Sequence, residues 1–488
     1  MPLALASPLA ARPLSAPLRP RRDGLRPRRV ARSRPARDAS IVASSSPDAP
    51  APVVVGVGSA GVDYLASVAS FPEPDAKLRT DALEIQGGGN CGNALTAVAR
   101  LGCAPRILTK LSDDAAGRAI VAEFEADGVD TAAIVVEPGK SSPFTYIIVD
   151  REGATRTCIH TPGPEFAPEE ITPAEIDALL DGASLCYFDG RLTEVALEVA
   201  AAARAKNIPV LVEGERPRQN LEALLELGDY VCTSENFPAD ASTRGAEDAA
   251  ATCELLARLP RARAIVTTLG AAGAVMIKRV TPWGEDDVER ILGELDAEKR
   301  EAEAPADEDV ARLREEMAAY EDDVAFFESL EYSESDSDSE SDSIPRVPLE
   351  DVLGDLMEDA MAYAEAHEEK YGKDSSVPPL PLRVMESVPV YLTDDGAASE
   401  ARIGPVEVFY ARAARLEDDL VADTTGAGDA FIGSICHGIA TGMELGDAMR
   451  LGAYVAAKKC LKLGARPGLP KRDDVPSQLF EPYPDETP

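Results

Sequence analysis

Short apolar runs alternate with helical stretches along most of this chain, and this alternation constrains the fold more than any other feature. The predicted strands lie at 53–57, 107–110, 184–188, 210–212, 230–233 and 264–269. The predicted helices lie at 91–101, 115–127 and 194–205, and a further run at 221–226 belongs to the same alternation without an assigned type. Such alternation is typical of βαβ units, in which helices cover both faces of a parallel sheet. We therefore predict an α/β fold with three layers, α/β/α, and a mostly parallel central sheet.

Two segments, 62–80 and 143–160, break this alternation. Both have the pattern of extended strands, and the second contains a turn at Gly153. Strands that follow one another without an intervening helix form hairpins rather than βαβ units. We predict that these segments form a small separate β-sheet that acts as a lid over a ligand site.

The first 40 residues differ in charge from the rest of the chain. They contain ten Arg and two Asp, whereas the whole chain has a formal net charge of −37. An Arg-rich, acid-poor start without a continuous apolar stretch is typical of an organelle transit peptide. Its prolines oppose an amphipathic helix and so favour a plastid over a mitochondrion. We assign 1–50 to this segment; a disordered basic tail without a targeting role is the alternative.

Residues 281–383 are predicted to form an acidic, low-complexity insertion. The stretch 281–376 contains 33 acidic and 8 basic residues, and 333–343 reads SESDSDSESDS. Repulsion between like charges and the lack of apolar residues predict disorder in that serine-acid stretch. Apolar residues at helical spacing within 349–361 predict one helix. The remaining segments, 51–280 and 384–488, have the size of one large α/β domain.

Composition argues against several classes of protein. A net charge of −37 opposes nucleic-acid binding, because a phosphate backbone must be met by clustered cations. No apolar run reaches the about 18 residues that indicate a transmembrane helix, so no membrane association is predicted. Eight cysteines without a CxxC pair, beside only three histidines, indicate reduced and packed thiols rather than disulfides or a zinc site.

Gly56, Gly58 and Gly61 spell GxGxxG directly after a predicted strand, as in dinucleotide-binding folds. That motif requires a helix after its third glycine. Two prolines follow instead, and a GGG run at 87–89 stands where the second strand is required. We therefore reject a dinucleotide site. The P-loop motif is absent from the sequence, so a nucleotide phosphate must be bound in another way.

The segment 423–431, DTTGAGDAF, carries the strongest chemical signal. Gly426, Ala427 and Gly428 lack bulky side chains where a helix is predicted to begin, so their amides can converge on an anion. Asp429 then lies in the first turn of the helix, where it can accept the proton of an attacking alcohol. The alternative for this segment is a capped helix after a tight glycine turn.

A second segment, 87–102, reads GGGNCGNALTAVARLG. Its glycines allow the backbone to approach a ligand closely, and the amides of Asn90 and Asn93 offer both donors and acceptors. Such a set of donors and acceptors is suited to binding the vicinal hydroxyl groups of a polyol. A glycine-rich helix start with no binding role is an equal alternative from these residues alone.

Together, these two segments resemble the signatures of the ribokinase-like (PfkB) carbohydrate kinases. The resemblance is closest to the ketohexokinase-like branch and its plastid plant homologues, through Gly190 and Arg191, 213–218 (EGERPR) and 457–460 (AKKC). It covers nearly all of 51–280 and 384–488. It implies a ribokinase-like fold and ATP-dependent phosphorylation of a sugar or polyol hydroxyl. ATP and Mg²⁺ are the implied cofactors, and some family members also use K⁺.

The resemblance also implies roles for individual residues. The implied acceptor-binding residues are Asp63, Gly89, Asn90 and Asn93. Asp429 is the implied catalytic base, with Gly426, Ala427 and Gly428 as the anion hole. The implied nucleotide-binding residues are Thr268, Gly270, Gly273, Arg191, Ala456 and Cys460. Alternatives remain open: a strand-end turn for 268–273, helix packing for Ala456 and Cys460, and a surface salt bridge for Arg191.

The sequence departs from the family at the magnesium segment. Many ribokinase-like enzymes carry an NxxE motif, but 234–237 reads SENF and the final acid is missing. The resemblance then implies that Mg²⁺ is held mainly by ATP phosphates and water, with Glu235 as a candidate ligand. Asp423 matches a region that binds a monovalent cation in some members.

These features predict an ATP-dependent carbohydrate kinase with a small-molecule sugar substrate. A nucleoside or inositol kinase is an alternative, because substrate choice depends on lid side chains such as Phe144, Tyr146 and Arg156. A non-catalytic plastid scaffold with the same fold is a second alternative. Lid strands in this family often pair between subunits, which suggests a homodimer. The acidic insertion, predicted to project near the nucleotide site, is expected to modulate ATP access or to bind a basic protein partner.

Overall fold

The computed structural model describes residues 30–31, 50–80, 82–153, 155–242, 248–303, 382–388, 406–416 and 420–482. Most of the predicted transit segment lies outside the described residues. The same is true of the acidic stretch 304–381, which includes the serine-acid run 333–343 and the predicted helix within 349–361.

A ten-stranded sheet forms the centre of the molecule. Its strands, in spatial order, are β1 (Val30–Ala31), β15 (Leu382–Val388), β16 (Val406–Ala411), β14 (Ala274–Arg279), β13 (Ala264–Thr268), β12 (Tyr230–Ser234), β11 (Val210–Gly214), β10 (Ala183–Phe188), β2 (Val53–Val57) and β5 (Ala104–Leu108). The six strands from β13 to β5 are parallel, and the four at the other side are antiparallel. The carboxyl ends of the six parallel strands therefore share one edge, where ligands bind in open α/β sheets.

Helices cover both faces of this sheet, as the alternation in the sequence predicts. They are α1 (Asn90–Arg100), α2 (Ala115–Asp127), α3 (Pro173–Leu180), α4 (Thr193–Ala205), α5 (Leu221–Glu226), α6 (Phe237–Asp240), α7 (Asp248–Arg258), α8 (Glu285–Glu303), α9 (Ala427–Thr441) and α10 (Leu445–Lys459). None of the helices in the described part of the chain has both the length and the apolar character that a membrane span requires.

Alternate residues of the parallel strands face opposite helical layers. Cys186 and Phe188 of β10 pack with α3, α4, α5 and α7, whereas Leu185 and Tyr187 pack with α1, α2 and α9. A strand buried on both faces reads as a continuous apolar run, which explains why these strands are evident in the sequence. The three-layer α/β/α architecture is therefore confirmed.

A second, four-stranded sheet forms the lid, in the order β4 (Ala82–Gly88), β3 (Gly61–Val68), β8 (Phe144–Asp150) and β9 (Thr155–Thr161). A separate two-stranded sheet pairs β6 (Lys110–Ser112) with β7 (Val135–Glu137). The strand β3 follows β2 where a dinucleotide-binding fold has its helix, so the rejection of that motif is confirmed. The predicted lid segment 62–80 is wrong in its second half: β3 ends at Val68, and its hairpin partner is β4 instead.

The acidic insertion begins at the edge of the sheet opposite the predicted nucleotide loop. The strand β14 runs antiparallel to β13, so the chain returns to the opposite edge before α8 starts. Glu285 of α8 pairs there with Arg204 and Arg261. The insertion therefore begins away from the predicted nucleotide loop, and the prediction that it projects near the nucleotide site falls mostly on residues outside the described ones. The insertion does end near that site, because Leu382 of β15 pairs with Tyr410, whose hydroxyl donates to the Ala272 carbonyl at 2.5 Å.

The first helix of the insertion is part of the folded domain. Val288 and Ile291 of α8 are 2% and 0% exposed, and Lys299 pairs with Glu222 of α5. The acidic side chains at 285–287, 289, 294 and 296 are exposed, while these two apolar residues pack against the domain. The boundary between folded chain and acidic segment therefore lies after α8, not at residue 281.

Truncation of Ile291 should destabilise the whole domain. Ile291→Ala removes buried methyl groups, and we expect a loss of about 2 kcal/mol or more in the free energy of unfolding. Glu289→Ala, an exposed change on the same helix, should leave that free energy within about 0.5 kcal/mol. Urea denaturation followed by circular dichroism measures both. Equal effects of the two variants would show that α8 does not pack on the domain.

Candidate active site

Helices α1 and α9 approach each other closely at the ligand-binding edge of the sheet. Gly433 of α9 makes this possible, because a Cβ at that position would lie 2.6 Å from the Ala94 carbonyl oxygen of α1. Asn93 precedes Ala94, and Asp429 lies one turn before Gly433. The Asn93 amide accordingly donates from Nδ2 to Oδ2 of Asp429 at 2.8 Å. The two motifs recognised in the sequence therefore meet in space.

A glycine turn leads into α9. Gly426 is the residue before the helix and has φ 74°, in the left-handed region that glycine tolerates. A Cβ on Gly426 would lie 2.6 Å from Cβ of Ala465, whereas a Cβ on Gly428 would meet no described protein atom within 4 Å. Packing therefore explains Gly426 but not Gly428. The amides of Gly426 and Gly428 at the start of a 15-residue helix form a cradle suited to an anion, whereas the Ala427 amide donates to the Thr424 carbonyl at 3.1 Å.

Asp423 holds the shape of this turn. Its Oδ1 accepts hydrogen bonds from the backbone amide and the hydroxyl of Thr425, at 2.9 and 2.8 Å. Its Oδ2 accepts from the Gly464 amide at 2.8 Å, and its carbonyl accepts from Nζ of the buried Lys459 at 2.6 Å. Asp423 is thus a bracing residue in this structure, and its role at a monovalent cation remains a prediction.

Arg466, which sequence reasoning missed, ties the two motifs to the lid. The side chain is 3% exposed. Its Nε donates to Oδ1 of Asn93 at 3.1 Å, its Nη2 donates to the Gly88 carbonyl at 3.0 Å, and its Nη1 lies 3.4 Å from Glu123. The guanidinium also stacks over the Phe124 ring at 4.6 Å. A buried cation is tolerated only with such partners, so Arg466 fixes the amide of Asn93 with its donor towards Asp429.

Asp63 lies on the cleft side of lid strand β3, against the glycine run. A Cβ on Gly88 would come within 2.2 Å of the Asp63 carboxylate, so glycine is required for this approach. Burial raises the pKa of Asp63 to about 6, against the opposing effect of the Arg466 cation.

Side chains alternate between the two faces of β3 and β8, and this alternation determines which of them line the cleft. Tyr146 pairs with Tyr64, on the face opposite Asp63, so the expectation that Tyr146 contacts substrate is wrong.

Phe144 also lies outside the cleft, because side chains alternate between the two faces of β8. Phe144 lies on the Tyr146 face of β8, where it contacts Tyr64 and Tyr146 ring to ring, with centroids 6.0 and 5.3 Å apart. Arg156 of β9 faces the cleft and donates from Nη1 to Oγ1 of Thr424 at 2.9 Å. Of the three predicted lid contacts, Arg156 alone points towards the site.

Asp189 organises the loop that carries Gly89 and Asn90. It follows the carboxyl end of β10 and is 1% exposed. Its Oδ2 accepts from the amide and hydroxyl of Ser59 at 2.7 and 2.6 Å and from the Cys91 amide at 3.2 Å. Gly89, at φ 87°, passes close to the Ser59 carbonyl, where a Cβ would lie at 2.6 Å. Asp189 was not predicted from the sequence, although its position after a parallel strand was a signal.

Glu213 and Arg191 hold Asn90 from two sides. Nδ2 of Asn90 donates to Oε1 of Glu213 at 3.1 Å, and Nη2 of Arg191 lies 3.4 Å from Oδ1 of Asn90. The Tyr187 hydroxyl donates to Oε2 of Glu213 at 2.6 Å. Burial, reinforced by the charge of Asp429, raises the pKa of Glu213 to about 8. The orientation of the Asn90 amide is therefore fixed before any ligand binds.

The predicted nucleotide loop lies at the carboxyl end of β13. The Thr268 hydroxyl donates to the Thr233 carbonyl at 3.2 Å. Gly270 has φ 56°, and a Cβ added there would meet no described atom within 4 Å. Gly273 has φ 113°, and a Cβ added there would lie 2.1 Å from the Ala411 carbonyl oxygen. Gly273 is thus explained by packing. Gly270 leaves its backbone open on the ligand-binding edge.

Ala456 and Cys460 lie at the end of α10, beside the DTTGAGD segment. The Cys460 carbonyl accepts hydrogen bonds from the amides of Ala422 and Asp423 at 2.9 and 3.3 Å. Cys460 is 8% exposed, and Ala456 is half-buried and packs against the core. Both residues are therefore close to the anion cradle, and helix packing accounts for the contacts that they make.

The residues present fit a magnesium ion held mainly by its nucleotide. Glu235 is exposed and follows β12 at the ligand-binding edge. Within the described residues, no three His, Cys, Asp or Glu side chains are arranged to hold a metal ion. Mg²⁺ tolerates such a site, because it usually retains waters and binds substrate phosphates through one or two protein carboxylates.

Asp429 itself has the properties of a proton acceptor. Burial raises its pKa to about 6, the Glu215 and Asp189 carboxylates act in the same direction, and the Asn93 hydrogen bond and the Arg191 cation oppose them. A carboxylate with a raised pKa is a stronger base than a solvated one and still carries its charge at pH 7.

Comparison with known proteins gives a family. The model of the family described as pfkB family carbohydrate kinase matches residues 52–290 and 406–472, which is more than half of the chain. A ketohexokinase from Mus musculus is 24% identical over 186 residues, 37% of this chain and 62% of that protein. A bifunctional ribokinase/ribose-5-phosphate isomerase A from Fructilactobacillus sanfranciscensis is 24% identical over 190 residues, 38% of this chain and 34% of that protein. The matches thus span about one third to two thirds of these relatives.

Solved structures share the fold. A putative ribokinase from Agrobacterium tumefaciens has a TM-score of 0.55 and 21% identity, with 88% of this chain and 98% of that chain covered. A ribokinase from Thermotoga maritima has a TM-score of 0.53 and 15% identity, with 88% and 100% covered. At such identities the likeness shows the fold alone, which is ribokinase-like. The family match carries the assignment: this chain belongs to the pfkB family of carbohydrate kinases.

Proposed function

We propose that the protein is an ATP-dependent kinase that transfers a phosphoryl group to a hydroxyl of a sugar or polyol. One observation carries this proposal: the 2.8 Å hydrogen bond that places Asp429, at the start of α9, against Asn93 of the acceptor loop. A base, an anion cradle and a set of hydroxyl-binding groups thereby share one cleft. The family and its kinase relatives support the same chemistry.

In the proposed mechanism, Asp63, Gly89, Asn90 and Asn93 bind the acceptor's hydroxyl groups. Asp429 accepts the proton of the reacting hydroxyl as its oxygen attacks the terminal phosphorus of ATP, and ADP leaves in line. The amides of Gly426 and Gly428 stabilise the negative charge on the transferring group without reorganisation. Closure of the lid excludes water and so limits ATP hydrolysis.

The nucleotide is proposed to lie along the ligand-binding edge between 268–273 and α10. Thr268, Gly270 and Gly273 would bring backbone to the nucleotide, and Ala456 and Cys460 would line the base. Arg156, hydrogen-bonded to Thr424, is placed to neutralise phosphate charge beside the cradle. Mg²⁺ would be held by ATP phosphates, water and Glu235, and would screen charge between the phosphates. A K⁺ ion near Asp423 is part of the same proposal.

A non-catalytic scaffold of the same fold is the alternative in another class. Screening the purified protein for ADP release with ketoses, aldoses, nucleosides and inositols separates the two. Turnover of a sugar or polyol supports the kinase, and turnover of nucleosides alone supports a nucleoside kinase. If none of these compounds leads to ATP turnover, the scaffold is supported.

The lid's outer face supports a homodimer. Leu83, Ile85, Tyr146 and Ile159 are 60%, 59%, 51% and 54% exposed. Ile85, Tyr146 and Ile159 also lie in one row across the four strands, joined through Tyr64. A contiguous exposed apolar patch of this kind marks an interaction site. We propose that two subunits pack these faces together.

Two further proposals concern segments that lie mostly outside the described residues. We propose that 1–50 directs the protein to a plastid, with a mitochondrion as the alternative; import of a reporter fused to this segment into isolated organelles distinguishes them. We propose that the acidic stretch binds a basic protein partner or modulates ATP access. Unchanged Michaelis constants and partners after deletion of 305–380, which spares α8, would count against both roles.

Replacement of the proposed base should abolish turnover selectively. Asp429→Asn keeps the size of the side chain but cannot accept the proton, so kcat should fall by about 10²–10⁴-fold. Binding of a non-hydrolysable ATP analogue, measured by calorimetry, should change little. The control Asp177→Asn alters an exposed carboxylate paired with Lys206 and should keep full activity. An Asp429→Asn enzyme as active as the parent would exclude this residue as the base.

The activity should depend on pH through Asp429. The pKa of this carboxyl group is raised to about 6 and the ionised form is the base, so kcat/KM should rise with pH through about 6 and level off near 7. The Asn93 hydrogen bond lowers this pKa. Asn93→Ala should therefore shift the acidic limb to higher pH. A limb that moves to lower pH, or a flat profile from pH 5 to 8, would contradict the assignment.

A charge in the outer face of the lid should dissociate the dimer. Ile85→Lys places an ammonium group in the proposed apolar interface, which should convert a dimer to a monomer in sedimentation velocity at micromolar concentration. Val136→Lys, a substitution of equal character at a residue that is 49% exposed on β7, should leave the dimer intact. A parent protein that sediments as a monomer at all accessible concentrations would refute the interface.

A further inference from the structure

Three polar side chains form one row across the cleft face of the lid. Asp63 of β3 pairs with Thr145 of β8, and Thr145 pairs in turn with His160 of β9. Residues that lie directly opposite each other on neighbouring strands point to the same face of the sheet. Asp63 is on the cleft face, so Thr145 and His160 are on it as well.

The hydrogen bond between Thr145 and Asp63 has a defined direction. Burial raises the pKa of Asp63, whereas the hydrogen bond of the Thr145 side chain lowers it. A hydrogen bond lowers the pKa of a carboxyl group when it stabilises the ionised form, which can only accept. The Thr145 hydroxyl has a single proton, so this proton points to Asp63.

That direction determines which nitrogen of His160 carries a proton. Nδ1 of His160 lies 3.2 Å from Oγ1 of Thr145. The Thr145 proton is used in the bond to Asp63, so its oxygen can only accept a hydrogen bond from Nδ1. Nδ1 is therefore protonated, and in the neutral ring Nε2 is a hydrogen-bond acceptor.

The neutral ring is the prevailing form near pH 7. Partial desolvation, and next the Arg191 and Arg218 cations, lower the pKa of His160 below its usual value. A histidine pKa is ordinarily about 6.5, so a lowered pKa keeps Nε2 unprotonated near pH 7.

His160 faces the acceptor side of the cleft. Its side chain is exposed, and within the described part of the chain its ring hydrogen-bonds to protein through Nδ1. Arg191, whose charge acts on His160, has Nη2 3.4 Å from Oδ1 of Asn90 in the proposed acceptor loop. Arg156, which reaches Thr424 beside the anion cradle, lies near the other end of β9, about 13 Å from His160 at the rise of a strand. Nε2 is therefore open to an acceptor molecule rather than to the nucleotide phosphates.

We propose that His160 is a specificity-determining residue, whose Nε2 accepts a hydrogen bond from one hydroxyl of the acceptor other than the hydroxyl that is phosphorylated. Thr145 and Asp63 hold the ring in the tautomer that this contact requires. The inference rests on the proposed kinase function and adds a binding residue to it. A nitrogen that can only accept distinguishes a hydroxyl from a hydrogen or an ether oxygen at that position, because neither of these can donate.

Kinetics with two variants of different shape test the contact. His160→Asn keeps an amide donor near the position of Nδ1 but loses the acceptor at Nε2, so KM for the acceptor should rise about 3–10-fold. KM for ATP should change less than about twofold. His160→Gln places an amide oxygen near the position of Nε2 and should restore most of the loss. The control Thr157→Ala, at an exposed position on the opposite face of β9, should change neither KM.

Deoxy analogues of the acceptor identify the hydroxyl that His160 binds. For the parent enzyme, one mono-deoxy analogue should have a KM about 3–10-fold above that of the intact acceptor, and His160→Asn should abolish this difference. A variant that retains the difference for every analogue would overturn the inference. Equal KM values for the parent and His160→Asn, or a rise in KM for ATP instead, would also overturn it while the kinase function stands.

Magnetic resonance of the full chain tests the tautomer without turnover. In protein that contains isotope-labelled histidine, nitrogen spectra near pH 7 should show His160 protonated at Nδ1 alone, and His160→Asn assigns its signals. Thr145→Val removes the hydroxyl that accepts from Nδ1, so the Nδ1–H form should lose population. A parent protein in which His160 is protonated at Nε2 would contradict the inference.

The same spectra separate the inference from the proposed function. D-fructose, D-ribose and myo-inositol are each added without ATP, and the compound that binds should shift the Nε2 signal of His160. A signal that responds to none of the three compounds overturns the inference. Absence of ATP turnover with every screened acceptor counts against the proposed function instead.

Discussion

The hydrogen bond between Asn93 and Asp429 joins two segments that are 336 residues apart in the chain. Its formation depends on the close contact of α1 and α9, which Gly433 permits, and on Arg466, which occupies the other end of the Asn93 amide. An amide whose oxygen accepts from a guanidinium must present its N–H₂ group to Asp429. The candidate site therefore depends on the buried guanidinium of Arg466 and on the lack of a side chain at Gly433.

The cleft concentrates carboxylates that repel one another. Burial raises the pKa of Asp63 and Asp429, each to about 6, and that of Glu213 to about 8. Such an arrangement opposes folding, and the cations of Arg466 and Arg191 offset part of the repulsion. Perturbed acids in a shared cleft are typical of catalytic sites, where a raised pKa prepares a carboxylate for proton transfer.

Much of the fold could be predicted from the sequence because strands buried on both faces read as apolar runs. Helices α1, α2 and α4 and the parallel strands other than β5 lie within about two residues of their predicted bounds, which is the usual precision of such boundaries. Strand β5 begins three residues before its predicted start. The strand β4 was missed, since its Leu83 and Ile85 are exposed and its glycines suggested a loop. Positions 87 and 88 of this strand are glycine because Arg466 and Asp63 approach the backbone there too closely for any side chain.

The motifs predicted which segments meet, but not what holds them together. Asp189, Glu213 and Arg466 contact site residues that are distant in the chain, and no local pattern in the sequence marks such pairs. The sequence also could not predict which face of the lid each side chain occupies, because a shift of one residue in a strand exchanges its two faces. That uncertainty placed Phe144 and Tyr146 in the cleft, whereas the register of β3 and β8 places them on the outer face.

A crystal structure with a non-hydrolysable ATP analogue and a turned-over acceptor tests the central claim most directly. The account predicts that the acceptor hydroxyl lies within about 2.6–3.2 Å of the Asp429 carboxylate, with the terminal phosphate against the amides of Gly426 and Gly428. A hydroxyl that instead contacts Glu213 or another acid, with Asp429 still bonded only to Asn93, would contradict it.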